Sequence, residues 1–316
     1  VSGRLAKASP SAVGLAMVVA AAAALGTLGP VANLAYQEGT GAATFSALRA
    51  AIGAAILGAL VLARRQPSVS LASLAKRERG LLALAVTVNG LMNLVLFIAF
   101  GEMAVGLVMV IFFTYPVLVA IMSAMLGREP LTWTRGVALA IACGGLALVL
   151  GAQLGPDAHA TAVGVVLAAV AAICHAVYLT TVKGGFDRVP AAQVTSLVLA
   201  GGLVISGAAA LVMEGGGTGA WLSSPVAWLA VVCAGTLGAA LPKVWVVGGV
   251  RLIGSTRAAV AMLLEPVVAV TVSTLLLRQQ LTAAELAGGV AILVAVVLAQ
   301  RPATTRSALT AGRVQS

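Results

Sequence analysis

The sequence predicts an all-α integral membrane protein whose ten transmembrane helices form two inverted five-helix repeats. Three observations carry that prediction. The first is solvent preference: 61% of the 316 residues are hydrophobic and 9% are charged, against roughly 25% charged in a soluble domain. Mean hydropathy is +1.09. A soluble core of this length cannot bury so much apolar sequence, so lipid must solvate much of it. The second is a repeat. The chain aligns with itself without a gap when Pro116 is set on Pro266, which also sets Ser123 on Ser273 and Leu131-Thr132 on Leu281-Thr282. The same offset sets Ala12-Val13-Gly14 on Ala162-Val163-Gly164 and Ser46 on Ser196. The third is the placement of charge, taken up below.

In chain order, apolar runs of about the 20 residues that a spanning helix needs lie at 12–36, 41–63, 80–100, 104–126, 132–151, 162–183, 191–213, 227–250, 257–277 and 282–300. They are continuous rather than alternating, and rich in Ala, Leu and Gly, which argues against strands. The first run follows Arg4 and Lys7 and could pass for a signal peptide. It outlasts a normal apolar core for one, and it is the repeat partner of the run starting at Ala162. Residues 1–11 read as a cytoplasmic segment, 12–151 as the first repeat, 162–300 as the second and 301–316 as a cytoplasmic tail. The gap with Gly155-Pro156-Asp157 is short and polar, so the halves are expected to dock. The gap opening Glu214-Gly215-Gly216-Gly217 is expected to carry no chemistry.

Charge placement tests the count. With the N-terminus inside, sixteen of the nineteen basic residues fall in or beside cytoplasmic gaps, one (Arg278) in an outer gap, and Arg49 and Lys243 inside helices. One helix more or fewer would scramble that split, so it favours ten helices with both termini in the cytoplasm. Five helices per half is odd. The second half therefore enters the membrane from the opposite side, and the repeat is inverted, a signature of secondary transporters.

The net charge of +10 reads as this topology signal; no aromatics interleave with a basic patch, which speaks against nucleic acid. Cys143, Cys174 and Cys233 lie inside apolar runs without metal-ligand spacing and read as packing residues. His159 and His175 are far apart in sequence. No phosphate-binding Gly-rich loop with Lys-Ser/Thr appears, so ATP hydrolysis is not expected. Neither a metal nor a cofactor is expected, and no enzyme constellation is present.

The pattern of Pro116, an apolar run, Gly127-Arg128-Glu129-Pro130-Leu131-Thr132 and a Gly-rich helix to Gly145 resembles the EamA group of the drug/metabolite transporter superfamily. Leu264-Glu265-Pro266-Val267 in the second copy does so too. The resemblance covers about 12–300. It implies transport of a small metabolite across the bacterial cytoplasmic membrane, often export of amino acids or related compounds, through a cavity lined mainly by the first, third and fourth helices of each half. Where the first copy has Glu129 the second has Gln279, so Glu129 reads as a turn or interface residue rather than a coupling group.

Ionisable residues inside a membrane are costly and point to function. Lys243 lies 7 residues before Val250, and Glu265 lies 8 after Arg257, so both sit roughly 10–12 Å in from the cytoplasmic side. The pair could bind a zwitterion end to end, exchange a proton, or lock two helices as a structural ion pair. Lys243 could also snorkel. His175 shares that depth, with Tyr178 one turn away on the same face. It reads either as a proton relay or as a satisfied hydrogen-bonding residue. Arg49 is expected at the periphery, snorkelling or capping carbonyls. Asn89 and Asn93, spaced i, i+4, either line the cavity or glue helices. Their counterparts are Ala239 and Lys243, so on this face the halves differ most. Pro116 and Pro266 are paired interruptions that point to a binding site, with Tyr115 before one and Glu265 before the other; the alternative is an ordinary packing kink. Trp133 reads as an interfacial anchor, and the Gly pairs 144–145, 201–202, 248–249 and 288–289 as close-packing points.

The expected function is a secondary transporter, an exporter of a small polar metabolite, working in the lipid bilayer and coupled to protons through Glu265, Lys243 or His175. The competing readings are an uncoupled facilitator, a membrane enzyme and a structural subunit without transport. The sequence does not indicate the oligomeric state.

Overall fold

The computed structural model describes residues 9–63, 65, 67–103, 105–130, 132–152, 160–215, 219–277 and 282–300. Several residues named or counted above lie outside them: Arg4, Lys7, Leu131, Gly155, Pro156, Asp157, His159, Gly216, Gly217 and Arg278 to Leu281, and, among the basic residues counted by charge placement, Arg64 and the Arg301, Arg306 and Arg313 of the 301–316 tail. Every regular element among the described residues is helical. They are α1 (Pro10–Gly26), α2 (Leu28–Gln37), α3 (Ala42–Leu62), α4 (Lys76–Glu102), α5 (Val105–Phe112), α6 (Tyr115–Met125), α7 (Trp133–Gly151), α8 (Ala162–Val182), α9 (Ala191–Met213), α10 (Pro225–Gly235), α11 (Leu241–Ile253), α12 (Ser255–Met262), α13 (Leu264–Leu277) and α14 (Ala283–Ala299). Short 3₁₀ turns precede α4 and α10.

Among the described residues, eight helical spans are long and apolar enough to cross a membrane, and the shorter apolar helices α1 and α14 accompany them. The ten apolar runs are thus present as helix, but four of them are not single helices. The run 12–36 divides at Thr27, which separates α1 from α2. The run 104–126 divides at Phe113 and Thr114, and 257–277 at Leu263. Proline explains the last two breaks. Pro116 has no N–H for the carbonyl of Phe112, and Pro266 none for that of Met262, so the helix stops and restarts at these points. The run 227–250 contains a π-helical turn, Thr236–Ala240, between α10 and α11. Pro242 follows it and leaves the Gly238 carbonyl without its usual donor. The matching stretch of α4 has Met92 in place of Pro242 and runs unbroken for 27 residues.

The helices pack in cross-chain pairs: α7 on α14, α3 on α9, α4 on α8 and α9, and α1 on α11 and α13. Glycine sets the closest of these approaches. A Cβ added at Gly145 would lie 2.7 Å from the Gly288 carbonyl oxygen and 2.9 Å from the Ala291 Cβ, so α7 meets α14 backbone to backbone. The predicted Gly-pair packing therefore holds at Gly145 and Gly288, whereas Gly144 faces open space. Trp133 is 86% exposed, as an interfacial anchor requires.

Candidate functional site

The middle of α4 and the start of α11 bring the two halves of the chain together through polar side chains. Asn89 and Asn93 stand one turn apart on α4. The Asn93 amide nitrogen donates to the Asn89 backbone carbonyl at 2.7 Å, which fixes its side chain against its own helix. Its free oxygen Oδ1 accepts from Arg49 of α3 at 3.1 Å. One turn earlier, Asn89 Oδ1 accepts from Lys243 Nζ of α11 at 3.0 Å. The result is a chain of hydrogen bonds, Arg49–Asn93–Asn89–Lys243, that links a cation of one half to a cation of the other. Hydrogen bonds to charged groups contribute about 1.5–3 kcal/mol each, so the amides hold two like charges that would otherwise repel.

Arg49 is thus not peripheral. It is buried, 6% exposed, and reaches inward to Asn93, so the snorkelling expectation is replaced by a place in the central network. Of the two roles offered for Asn89 and Asn93, the hydrogen bonds show the bridging one, since they join α4 to α3 and to α11.

Glu265, in the first turn of α13, lies close enough to Lys243 and Arg49 to feel their charges. Among the described residues no direct ion pair joins Lys243 to Glu265. The structural ion pair considered above is therefore not formed: the ammonium faces Asn89, and the carboxylate has no hydrogen-bond partner among the described residues. Lys243 and Glu265 are both half-buried.

An aromatic wall adjoins these charges. Tyr115, at the start of α6, meets His175 of α8 edge to face at 4.4 Å. Phe112 touches both rings, at 5.4 and 5.5 Å. Tyr178 lies 6.2 Å from His175, and its ring is 6.0 Å from Lys243 Nζ. His175 Nδ1 contacts the Met92 sulfur at 3.0 Å. Tyr115 also lies within electrostatic range of Glu265, so the residues that precede the paired prolines do converge. Pro116 and Pro266 sit at the two helix restarts beside this cluster. Met92 and Phe112 were not singled out from the sequence; an apolar residue on an apolar helix gives no signal there.

One end of the bundle is closed by a second polar network. Glu129 accepts from the Ser255 backbone N–H at 2.7 Å, the Ser255 hydroxyl at 2.9 Å and the Thr256 N–H at 3.4 Å, which caps α12. Ser123 and Ser255 share a hydrogen bond at 2.8 Å. Arg128 donates to the carbonyls of Thr180 and Lys183 at the end of α8. Lys183 donates to the Arg251 carbonyl, and Arg251 to those of Val189 and Phe186 at 2.7 and 3.1 Å. Glu129 is an interface residue, as its replacement by Gln279 in the second copy suggested.

A groove of about 440 Å³ lies between α6 and α7, lined by Val117, Ala120, Ile121, Gly136, Leu139, Ala140 and Cys143. Apart from the Cys143 thiol its lining is apolar, and it stands apart from the central network. Among the described residues no cluster of His, Cys, Asp or Glu could hold a metal ion.

Residues 12–151 and 162–300 each match the model of the EamA-like transporter family. The chain belongs to that family. Membership makes this EamA-like protein an integral membrane protein with a small-molecule substrate and a lipid environment. A solved crystal structure of a protein is similar to it in fold, with a TM-score of 0.75 at 19% sequence identity, covering 92% of this EamA-like chain and 96% of that one. No curated protein sequence matches the chain.

Proposed function

We propose that this EamA-like transporter exports a small polar metabolite, such as an amino acid or a related compound, by alternating access between two inverted five-helix halves, 12–151 and 162–300. In this reading it sits in the bacterial cytoplasmic membrane with both termini inside, and Glu265, Lys243 or His175 couples transport to protons. The observation that carries the reading is the Arg49–Asn93–Asn89–Lys243 chain. It places charge and hydrogen-bonding capacity deep among apolar helices, where an ionisable group is costly unless it serves a pathway. The paired restarts at Pro116 and Pro266 support it, because interrupted helices in corresponding places supply binding groups near the midplane. The packing supports the inverted arrangement: α1 against α11 has its counterpart in α8 against α4, and α1 against α12 and α13 in α8 against α5 and α6. The polar network around Glu129 supports alternating access, since it joins the two halves at one end of the bundle, where an alternating transporter must close its pathway in one of its states.

The test is untargeted profiling of spent medium and cell extract from a host expressing the protein, with the Lys243→Met, Glu265→Gln double variant at matched membrane abundance as control. One or a few metabolites should move outward with the intact protein and not with the variant. Equal movement by both would remove the charged residues from the mechanism. Movement by neither would overturn the export reading.

A further inference from the structure

The charges at the centre do not cancel, and this bears on what the cargo is. Of the nine acidic residues in the chain, Glu265 alone lies away from the ends of the apolar runs. The central network carries two cations, Arg49 and Lys243, beside that one anion. Passing a proton from Lys243 to Glu265 neutralises both and leaves Arg49, so the sum is +1 in either form. The other titratable neighbours, Tyr36, His175, Tyr115 and Tyr178, carry no charge in their ordinary neutral forms. Glu214, the next acid toward the far end of α3, is engaged by the N-terminus of that helix through Ala43 N–H, Thr44 N–H and the Thr44 hydroxyl. A net charge among apolar helices is poorly screened, and an opposite charge brought beside it is strongly attracted.

The unfilled hydrogen-bonding groups point the same way. Lys243 can only face the carbonyl oxygen of Asn89, which turns the amide's two N–H donors the other way. That nitrogen is buried without a partner, and Asn89 is 1% exposed. Lys243 has used one of its three N–H groups on Asn89. The two side chains therefore present adjacent donors, ammonium and amide, with no acceptor between them among the described residues. The Tyr115 hydroxyl is also buried without a partner, at the start of a helix that has no acidic residue in its first turn and so keeps the partial positive charge of its N-terminus. At the matching position of the other half, Glu265 occupies that place on α13.

We propose that the cargo is an organic monoanion whose carboxylate is gripped by Lys243 Nζ and Asn89 Nδ2, with its body against the rings of Tyr115, His175 and Tyr178. This rests on the transport reading and narrows it: a zwitterionic amino acid leaves the site at +1, and a monocarboxylate brings it to zero. Arg49 acts through Asn93, as a positioning residue and as the charge that survives any Lys243–Glu265 proton exchange.

The test uses the full-length protein in liposomes and pairs of compounds that share a side chain and differ in charge: phenylalanine and phenyllactate, leucine and 2-hydroxyisocaproate, serine and glycerate. Initial uptake and mutual competition are measured at constant pH. The intact protein should favour the hydroxy acid at least tenfold in one or more pairs. Lys243→Met and Arg49→Gln each bring the site to zero and should cut that ratio about tenfold, whereas Glu265→Gln should preserve or raise it. A ratio that favours the amino acid, or one that the three variants leave unchanged, overturns the charge assignment and leaves transport standing. If no member of any pair moves or competes, while an unrelated metabolite found by profiling does, this cargo class is wrong; if nothing moves in either assay, both readings fall together.

Discussion

At each end of the bundle a glutamate of one half caps a helix of the other, and the two caps are alike in local geometry. Glu129 takes the Ser255 and Thr256 N–H groups and the Ser255 hydroxyl of α12. Glu214 takes the Ala43 and Thr44 N–H groups and the Thr44 hydroxyl of α3, at 2.7, 3.0 and 2.7 Å. Their surroundings differ. Glu129 is 8% exposed, carries Arg135 at 3.5 Å, and is embedded in the network of Arg128, Lys183 and Arg251 around the ends of α8 and α11. Glu214 is half-buried and follows three exposed residues, Leu211, Val212 and Met213. The same capping chemistry can thus seal an end of the molecule or only finish a helix. Burial and connection to further groups decide which, because a buried network is costly to leave partly satisfied.

The largest effect expected from this comparison is at Glu129. Glu129→Ala leaves two N–H groups of α12 without an acceptor in a buried place, at about 1–3 kcal/mol each; Ser255 Oγ keeps Ser123 as a partner. The expected loss of stability is about 3 kcal/mol. Amide hydrogen exchange in 255–262 should rise roughly a hundredfold, with little change in 42–48. Unaltered exchange in 255–262 would show that Glu129 does not hold this end.

How far the sequence reached can be judged on the same residues. Apolar length located the helical segments, eight of which among the described residues are long and apolar enough to span a membrane. Proline foretold two of the breaks, because a missing N–H is written in the chain. The divide at Thr27 and the π turn at Thr236–Ala240 were not foreseen, although Pro242 leaves the Gly238 carbonyl without its donor by the same physics as Pro116 and Pro266. At the site, Asn89, Asn93, His175, Tyr115, Lys243 and Glu265 announced themselves as polar residues in apolar runs. Which of them touch did not. Asn89 meets Lys243 across 154 positions of sequence, and Glu129 meets Ser255 across 126, so both contacts depend on how the halves dock. Arg49 was misplaced for that reason: its partner stands on another helix, and depth along α3 says nothing of direction.

A second, smaller effect is expected at the turn that aims the Ser255 and Thr256 N–H groups. Gly254 has φ +92° and ψ 159°, a conformation that side chains other than glycine's adopt at a cost of about 1–3 kcal/mol. A Cβ there would also sit 2.7 Å from Glu129 Oε1. Gly254→Ala should destabilise by about 2 kcal/mol and raise exchange in 255–262 by roughly tenfold to thirtyfold. Combined with Glu129→Ala it should cost less than the sum of the two, since both act on one contact. Full additivity in thermal or denaturant unfolding would mean that the turn and the carboxylate are independent.

The smallest effect is expected at the other cap, and it is the control that gives the first its meaning. Glu214→Ala removes as many hydrogen bonds as Glu129→Ala, so a view that counts bonds predicts an equal loss. The network argument predicts otherwise: Ala43 and Thr44 are themselves buried, but Glu214 is half-buried and, among the described residues, is joined to no further charged side chain, so the cost is nearer that of an ordinary N-cap, about 1 kcal/mol. Exchange should rise by less than tenfold in 42–48 and stay unchanged in 255–262. If the two substitutions proved equally costly, the distinction between a seal and a cap would fail. The closed end of the bundle would then be an accident of helix capping rather than one state of a transport cycle.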